Sequence, residues 1–160
     1  MVQGKHPFDN PVEAKGKGGY HGGMRQKLPR VYGIGNPLID IIVEVRERDL
    51  DLLGIHKGAM HLIDGERRSI LLEHIKDIHP SYSCGGSCPN TIITLAALGI
   101  DATLAGKVGK DEYGDIYRRR LQELDVHDEL VTCDEPTGSS IILITPDSER
   151  TMNTYLGANR

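Results

Sequence analysis

From residue 31 onward, short apolar runs alternate with segments whose apolar positions recur every three or four residues. Residues 31–35 and 38–45, rich in Ile and Val, predict strands, and residues 60–63 predict a shorter one. Asp64 stands where it can cap a helix running to about His79, with Leu71, Ile75 and Ile78 on one face and Pro80 just beyond. Residues 81–84 predict a strand that enters a Gly85-Gly86 turn. A second helix then starts with Pro89 near its first position and stops at Gly99, a good carboxyl-terminal cap. Residues 102–108 predict a buried strand. Asp111 heads a third helix, with Tyr113, Ile116, Tyr117, Leu121 and Leu124 spaced for a core face. Residues 139–145 and 151–156 flank Pro146-Asp147-Ser148-Glu149-Arg150 and predict a β-hairpin. Strands alternating with helices predict an α/β fold, a mainly parallel sheet with flanking helices.

Residues 1–30 break this pattern. They hold six of the nineteen glycines and a local charge of +4, which leaves −8 on the remainder of a chain whose net charge is −4. With no apolar period to bury, they predict a flexible extension, or alternatively a basic arm for an acidic partner. Residues 31–160 then form the folded part, of a size usual for one domain. An acidic chain with six Tyr, one Phe and no Trp is poorly equipped to bind nucleic acid. Its longest apolar runs are too short for a membrane span. Three cysteines, an odd number, fit a reducing cytoplasm better than a disulfide framework.

Four constellations carry candidate chemistry. Gly33-Ile34-Gly35-Asn36-Pro37-Leu38 follows a strand as a dinucleotide fingerprint would, but Leu38 replaces the third glycine and a β-branched run follows where a helix is needed. Two glycines easing a strand bend is the plainer reading. Asp40 lies between Ile39 and Ile41 in an apolar strand. Either alternation turns it to solvent, or it is a carboxylate at a strand end that accepts from two adjacent hydroxyls of a polyol. Gly85-Gly86-Ser87-Cys88-Pro89-Asn90 places a glycine pair between strand and helix. There the backbone can approach a ligand closely, with Asn90 in the first turn, or the pair is simply a tight turn and cap. Cys84 and Cys88, with His79 upstream and Cys133 far downstream, lack the second short pair of a structural zinc site. They predict inert buried thiols, with Cys88 at a helix start as a candidate for alkylation.

Taken together, Gly33-Ile34-Gly35-Asn36-Pro37-Leu38-Ile39-Asp40, Gly85-Gly86-Ser87-Cys88-Pro89-Asn90-Thr91, Leu98-Gly99, Gly106-Lys107-Val108-Gly109-Lys110-Asp111-Glu112-Tyr113-Gly114, Thr137-Gly138-Ser139 and Thr145-Pro146-Asp147-Ser148-Glu149-Arg150-Thr151-Met152 resemble, in order and spacing, the amino-terminal half of the PfkB-type ribokinase and adenosine kinase family. The Asn-Pro-Leu-Ile-Asp run and Met152-Asn153-Thr154-Tyr155-Leu156-Gly157-Ala158 lean towards its adenosine kinase-like branch. The resemblance implies a truncated ribokinase-like α/β fold with a small β lid built from strands near 38–45 and 139–156. It also implies transfer of the ATP γ-phosphoryl group, with Mg²⁺, to a hydroxyl of a sugar or nucleoside, adenosine or a related ribose-containing compound being favoured.

By position, Asp40 would bind ribose-type hydroxyls with Asn36 beside it. Gly85, Gly86 and Ser87 would bring the backbone close to the sugar, and Asn90 would add a hydrogen bond. Cys88 and Ile92 depart from the family pattern, which has smaller residues there. The Gly-Ala-Gly-Asp segment that gives the family its anion hole and base does not occur between Met1 and Arg160. The chain is therefore expected to be a substrate-binding fragment, catalytically inert alone. A non-catalytic sugar- or nucleoside-binding module is the alternative. A lid hairpin with unpaired edges would further allow a homodimer.

Overall fold

The computed structural model describes residues 30–160, so the extension expected at residues 1–30 falls, but for Arg30, outside the described residues. Strands β1 (Val31–Ile34) and β2 (Leu38–Glu44) come first, then α1 (Glu47–Leu53), β3 (Met60–Leu62), α2 (Gly65–Ile75), β4 (Ser81–Gly85) and α3 (Ser87–Ala97). There follow β5 (Ala102–Gly109), α4 (Glu112–Glu123), β6 (His127–Cys133), β7 (Gly138–Ile144), β8 (Arg150–Tyr155) and a closing 3-10 turn, Gly157–Asn159.

The strands form two sheets. One is parallel, in the order β1-β5-β6, and the other has five strands in the order β3-β8-β7-β2-β4. In the second, β2/β7 and β3/β8 run parallel, whereas β7/β8 and β2/β4 run antiparallel. The expectation of a mainly parallel sheet thus holds for the first sheet, while the second is mixed and, within these residues, the larger. The hairpin strands β7 and β8 are interior strands of it, paired outward to β2 and β3. The unpaired edges expected on the hairpin belong instead to β3 and β4.

Local chemistry explains most boundaries. The Asp64 carboxylate accepts from Arg67 N (2.8 Å) and opens α2, which stops at Ile75 rather than near His79. A turn closed by Ile78 N donating to Ile75 O (3.0 Å) returns Ile78 to the core instead. Pro89 is the third residue of α3, where its missing N–H belongs to the unsatisfied first turn in any case. Gly99, at φ +84°, closes α3 in a Schellman motif, with Gly99 N donating to Ala96 O and Ile100 N to Leu95 O.

Two elements were illegible from sequence. Helix α1 is one short stretch headed by Arg46, and the side chain of Asp49 caps it by accepting from Arg46 N (2.9 Å). Strand β6 is polar and buries only Leu130 well; its pairing with β5 makes it a strand. No helix among the described residues is long and apolar enough to cross a membrane.

Along β2 the residues alternate. Ile39, Ile41 and Val43 join one continuous core with Ile141 and Leu143 of β7, Leu71 and Ile75 of α2, and Ile92, Leu104, Val108, Tyr117 and Leu121. Leu38, Asp40, Ile42 and Glu44 turn to the opposite face. The chain passes between the sheets at residues 35–37, 86, 134–137 and 156–159, and these crossings knit into a waist. Asn159 Nδ2 donates to Pro37 O (3.0 Å) and Ala158 N to Pro136 O (2.8 Å). A Cβ on Gly106 would lie 2.4 Å from Gly35 O, and one on Gly86 2.3 Å from Asn36 O. Strands cross this closely only where a side chain is absent.

Candidate functional site

Asp40 lies just past the first crossing. Across the mixed sheet its register partners are Ser83 on β4 and Ser140 on β7; Ser140 pairs with Thr154 on β8, and Thr154 with Leu62 on β3. Directly paired residues share a face, so Ser83, Asp40, Ser140 and Thr154 form a polar row. Ser140 Oγ and Thr154 Oγ1 are 3.0 Å apart and share a hydrogen bond. The neighbouring row holds Ile42, Ile142, Met152 and Met60. Met60 (58% exposed) and Leu62 (67%) leave apolar surface open on this face.

The Asp40 carboxylate leans diagonally onto Gly85. A Cβ there would stand 2.4 Å from Oδ2 and 2.5 Å from Oδ1, so no residue but glycine leaves the carboxylate where it is. Gly86, at φ +106°, turns the chain beside the Asn36 carbonyl. The hydroxyl of Tyr117, fully buried on α4, donates to Gly85 O (2.7 Å). Asp40, Gly85, Gly86 and Asn36 are thereby brought together. Ser87 and Asn90 follow on the exposed first turn of α3, where Asn90 N donates to Gly86 O (2.9 Å).

Burial pushes the Asp40 carboxyl above its ordinary value, and Arg150 partly opposes this. Among the described residues no donor reaches the Asp40 oxygens. A half-buried carboxylate without an internal partner is disfavoured, and two hydroxyl donors from a ligand would relieve that cost. Burial likewise pushes the Cys84 thiol up to about 12, in keeping with an inert thiol.

The other constellations resolve differently. Gly33 and Gly35 make room for α3: a Cβ on Gly33 would meet Ile92 Cγ1 at 2.5 Å, and one on Gly35 would meet Cys88 Cβ at 2.6 Å. The two departures from the family pattern, Cys88 and Ile92, sit one helical turn apart on this contact, and the half-buried Cys88 thiol is turned into it. Gly109, Asp111, Gly114 and Thr137 form a closed knot. The Asp111 carboxylate accepts from Gly114 N (2.9 Å), Thr137 N (2.8 Å) and Thr137 Oγ1 (2.6 Å), and Gly109 N donates to Thr137 Oγ1 (2.8 Å). Among the described residues no three His, Cys, Asp or Glu side chains converge to hold a metal ion.

Sequence reasoning missed Tyr117, Ser140, Thr154 and Asn159 as parts of this site. Tyr117 was legible only as a core residue, because a helix period does not say what a hydroxyl meets. Ser140 and Thr154 sit within strands whose pairing partners are distant in sequence.

The chain is 38% identical to the adenosine kinase of Sinorhizobium meliloti, covering 83% of this chain and 40% of that one with a TM-score of 0.71. A probable sugar kinase from Rhizobium etli matches at 35% identity over the same shares, TM-score 0.71. The adenosine kinase of Schistosoma mansoni, solved with 2-fluoroadenosine, matches at 29% identity over 81% of this chain and 39% of that one, TM-score 0.72. The chain thus spans about two fifths of the length of these kinases. Residues 59–160 match the pfkB family carbohydrate kinases, and with the mixed and parallel sheets arranged as in adenosine kinases, the chain belongs to that family.

Proposed function

We propose that the full-length protein phosphorylates a hydroxyl of a ribose-containing substrate, with adenosine favoured, and that residues 31–160 supply the substrate side of the site. The observation that carries this reading is the Asp40 carboxylate, half-buried against Gly85 with no internal donor among the described residues. Its two oxygens match two adjacent sugar hydroxyls in number and spacing. In this reading the Asn36 and Asn90 amides would add hydrogen bonds to the sugar, while Gly85, Gly86 and Ser87 would let backbone approach it. Leu62, Met60 and Met152 on the same face offer an apolar platform of the kind a purine ring needs.

The mixed sheet serves in this reading as a lid, whose closure excludes water so that the sugar rather than water receives the phosphoryl group. ATP supplies that group, and Mg²⁺ accompanies it in the family. The residues described here do not fit either: no carboxylates converge for the metal, and the Gly33-Ile34-Gly35 turn is filled by α3. This chain's part is to bind and orient the acceptor and to keep water out. A cytoplasmic location belongs to the same reading and accords with three free cysteines. The test is ADP release by the full-length protein with adenosine, ribose and a hexose in turn. Turnover with adenosine first among them is expected, and none with any ribose compound would overturn the reading.

A further inference from the structure

The Gly85–Gly86 turn carries no side chain of its own, and among the described residues a single side chain donates to it: Tyr117, from α4 in the other layer of the molecule. We propose that Tyr117 is a positioning residue for substrate binding, holding the Gly85 carbonyl so that the turn stays where Asp40 can rest on it. The inference rests on the reading of Asp40 as the hydroxyl-binding carboxylate.

Three observations carry it. First, Tyr117 is wholly buried, and its neighbours on the same helix face, Ile116 and Leu121, fill the core without polar atoms, so packing alone does not call for a hydroxyl there. Second, the hydroxyl spends its one proton on a main-chain carbonyl 32 residues away, at a length of 2.7 Å. Burial also pushes the phenol pKa up, which keeps that proton in place. Third, the accepting residue is the one on which the Asp40 carboxylate lies, within 2.5 Å of where a Cβ would be. A shift of the turn by a few tenths of an ångström passes directly to the carboxylate, since the two surfaces touch with no intervening atom.

The chain of contact therefore runs from α4, packed on the parallel sheet, through one hydrogen bond to the glycine turn, and from the turn to Asp40 on the mixed sheet. If the mixed sheet closes as a lid, this bond lies at the waist about which it moves, and it keeps the hydroxyl-binding group in register with the α3 end of the site.

The experiment compares wild-type, Tyr117→Phe and Asp40→Asn full-length protein with adenosine and 2′-deoxyadenosine. Phe keeps the buried ring and removes only the donor. For Tyr117→Phe we expect KM for adenosine to rise about fivefold, as loss of one positioned hydrogen bond implies, with kcat much less affected. The preference for adenosine over its 2′-deoxy analogue should shrink as well. A lower Tm with KM and preference unchanged would make Tyr117 merely structural and overturn the inference. Should Tyr117→Phe fail to fold, Tyr117→Met is read by the same two quantities. Asp40→Asn separates the two levels. If it leaves the preference intact, the reading of Asp40 itself fails; if it abolishes the preference while Tyr117→Phe leaves KM and preference at their wild-type values, only the positioning role fails.

Discussion

Two aspartates, each beside a pair of glycines, invite comparison: Asp40 with Gly85 and Gly86, and Asp111 with Gly109 and Gly114. In sequence both lie within motifs of the same glycine-rich character. In the structure they are opposites. Asp111 caps α4 and ties it to the segment before β7 with three donors, two from main-chain N–H groups and one from the Thr137 hydroxyl. Both oxygens of that carboxylate are engaged by donors within the chain. Asp40 is just as firmly placed, held by strand pairing on both sides and by the glycine beneath it, yet its oxygens receive no internal donor among the described residues. The glycines differ in the same way. A Cβ on Gly109 would strike the Glu135 carbonyl and the Thr137 nitrogen, both 2.6 Å away and both backbone, whereas one on Gly85 would strike the movable end of a side chain. A carboxylate engaged from within is a staple, and one positioned without an internal donor is, in the reading proposed above, a site.

The largest effect that would sharpen this contrast is on stability. Asp111→Ala strands three donors, two of them on the fully buried Thr137, and should cost about 3 kcal/mol, a fall in Tm of about 10 °C for a domain of this size. Differential scanning calorimetry checks it, and an unchanged Tm would end the description of Asp111 as a staple. Asp40→Ala should behave in the reverse sense. Substrate affinity in the full-length protein should drop at least about tenfold while Tm holds or rises, because a desolvated carboxylate has been removed. Equal KM and kcat in mutant and wild type would remove Asp40 from the site.

The glycines give a finer cut. Gly109→Ala forces backbone apart and should cost about 1–3 kcal/mol with substrate binding retained in the protein that folds. Gly85→Ala should cost less stability and more affinity, since the carboxylate can swing away but then no longer points at the sugar. If the two variants lost affinity equally, the distinction between knot and site would be broken.

The smallest effect is in pH dependence. Asp40's folded-state pKa is raised above its ordinary 3.8 by burial, so the folded chain binds that proton more tightly than the unfolded chain does. Its contribution to stability is then full below 3.8 and is lost as pH rises through the folded value. Hydroxyl binding needs the ionised form and moves the other way, strengthening as pH rises through the same point. A titration of affinity should therefore show an acid limb above 3.8 that is absent in Asp40→Asn, and an identical limb in the variant would assign it to another group.

Much of this was legible in advance because it is local. Capping aspartates 64 and 111, the closing Gly99, and the β-branched runs of β2 and β7 each act on neighbours a few residues away, and the elements appeared where those signals stand. The elements that escaped notice lack local signals. Strand β6 is made by β5, and α1 is capped by the side chain of its own third residue rather than by a cap residue of the usual kind. At the site, Asp40 and the Gly85–Gly86 pair stood out as an acid in an apolar strand and a glycine pair before a helix. The Gly33-x-Gly35 motif suggests a strand bend from sequence alone, whereas in the structure its bare backbone admits Cys88 and Ile92. Glycine marks a close approach without naming what approaches.

The sequence by itself determined the alternation of strands and helices, the motif order that marks the family, and Asp40 as an acid set within an apolar strand. These are properties of residue type and spacing along one chain. Only the tertiary structure decided that the larger sheet is mixed, that Ser140 and Thr154 stand in line with Asp40, that Asp111 is consumed internally while Asp40 is not, and that Tyr117 holds the glycine turn. Each of these depends on groups distant in sequence meeting in space, as Asp40 and Ser140 do by strand register and the Tyr117 hydroxyl and Gly85 O do at 2.7 Å. Such meetings are set by sheet register and layer packing, which no local pattern encodes.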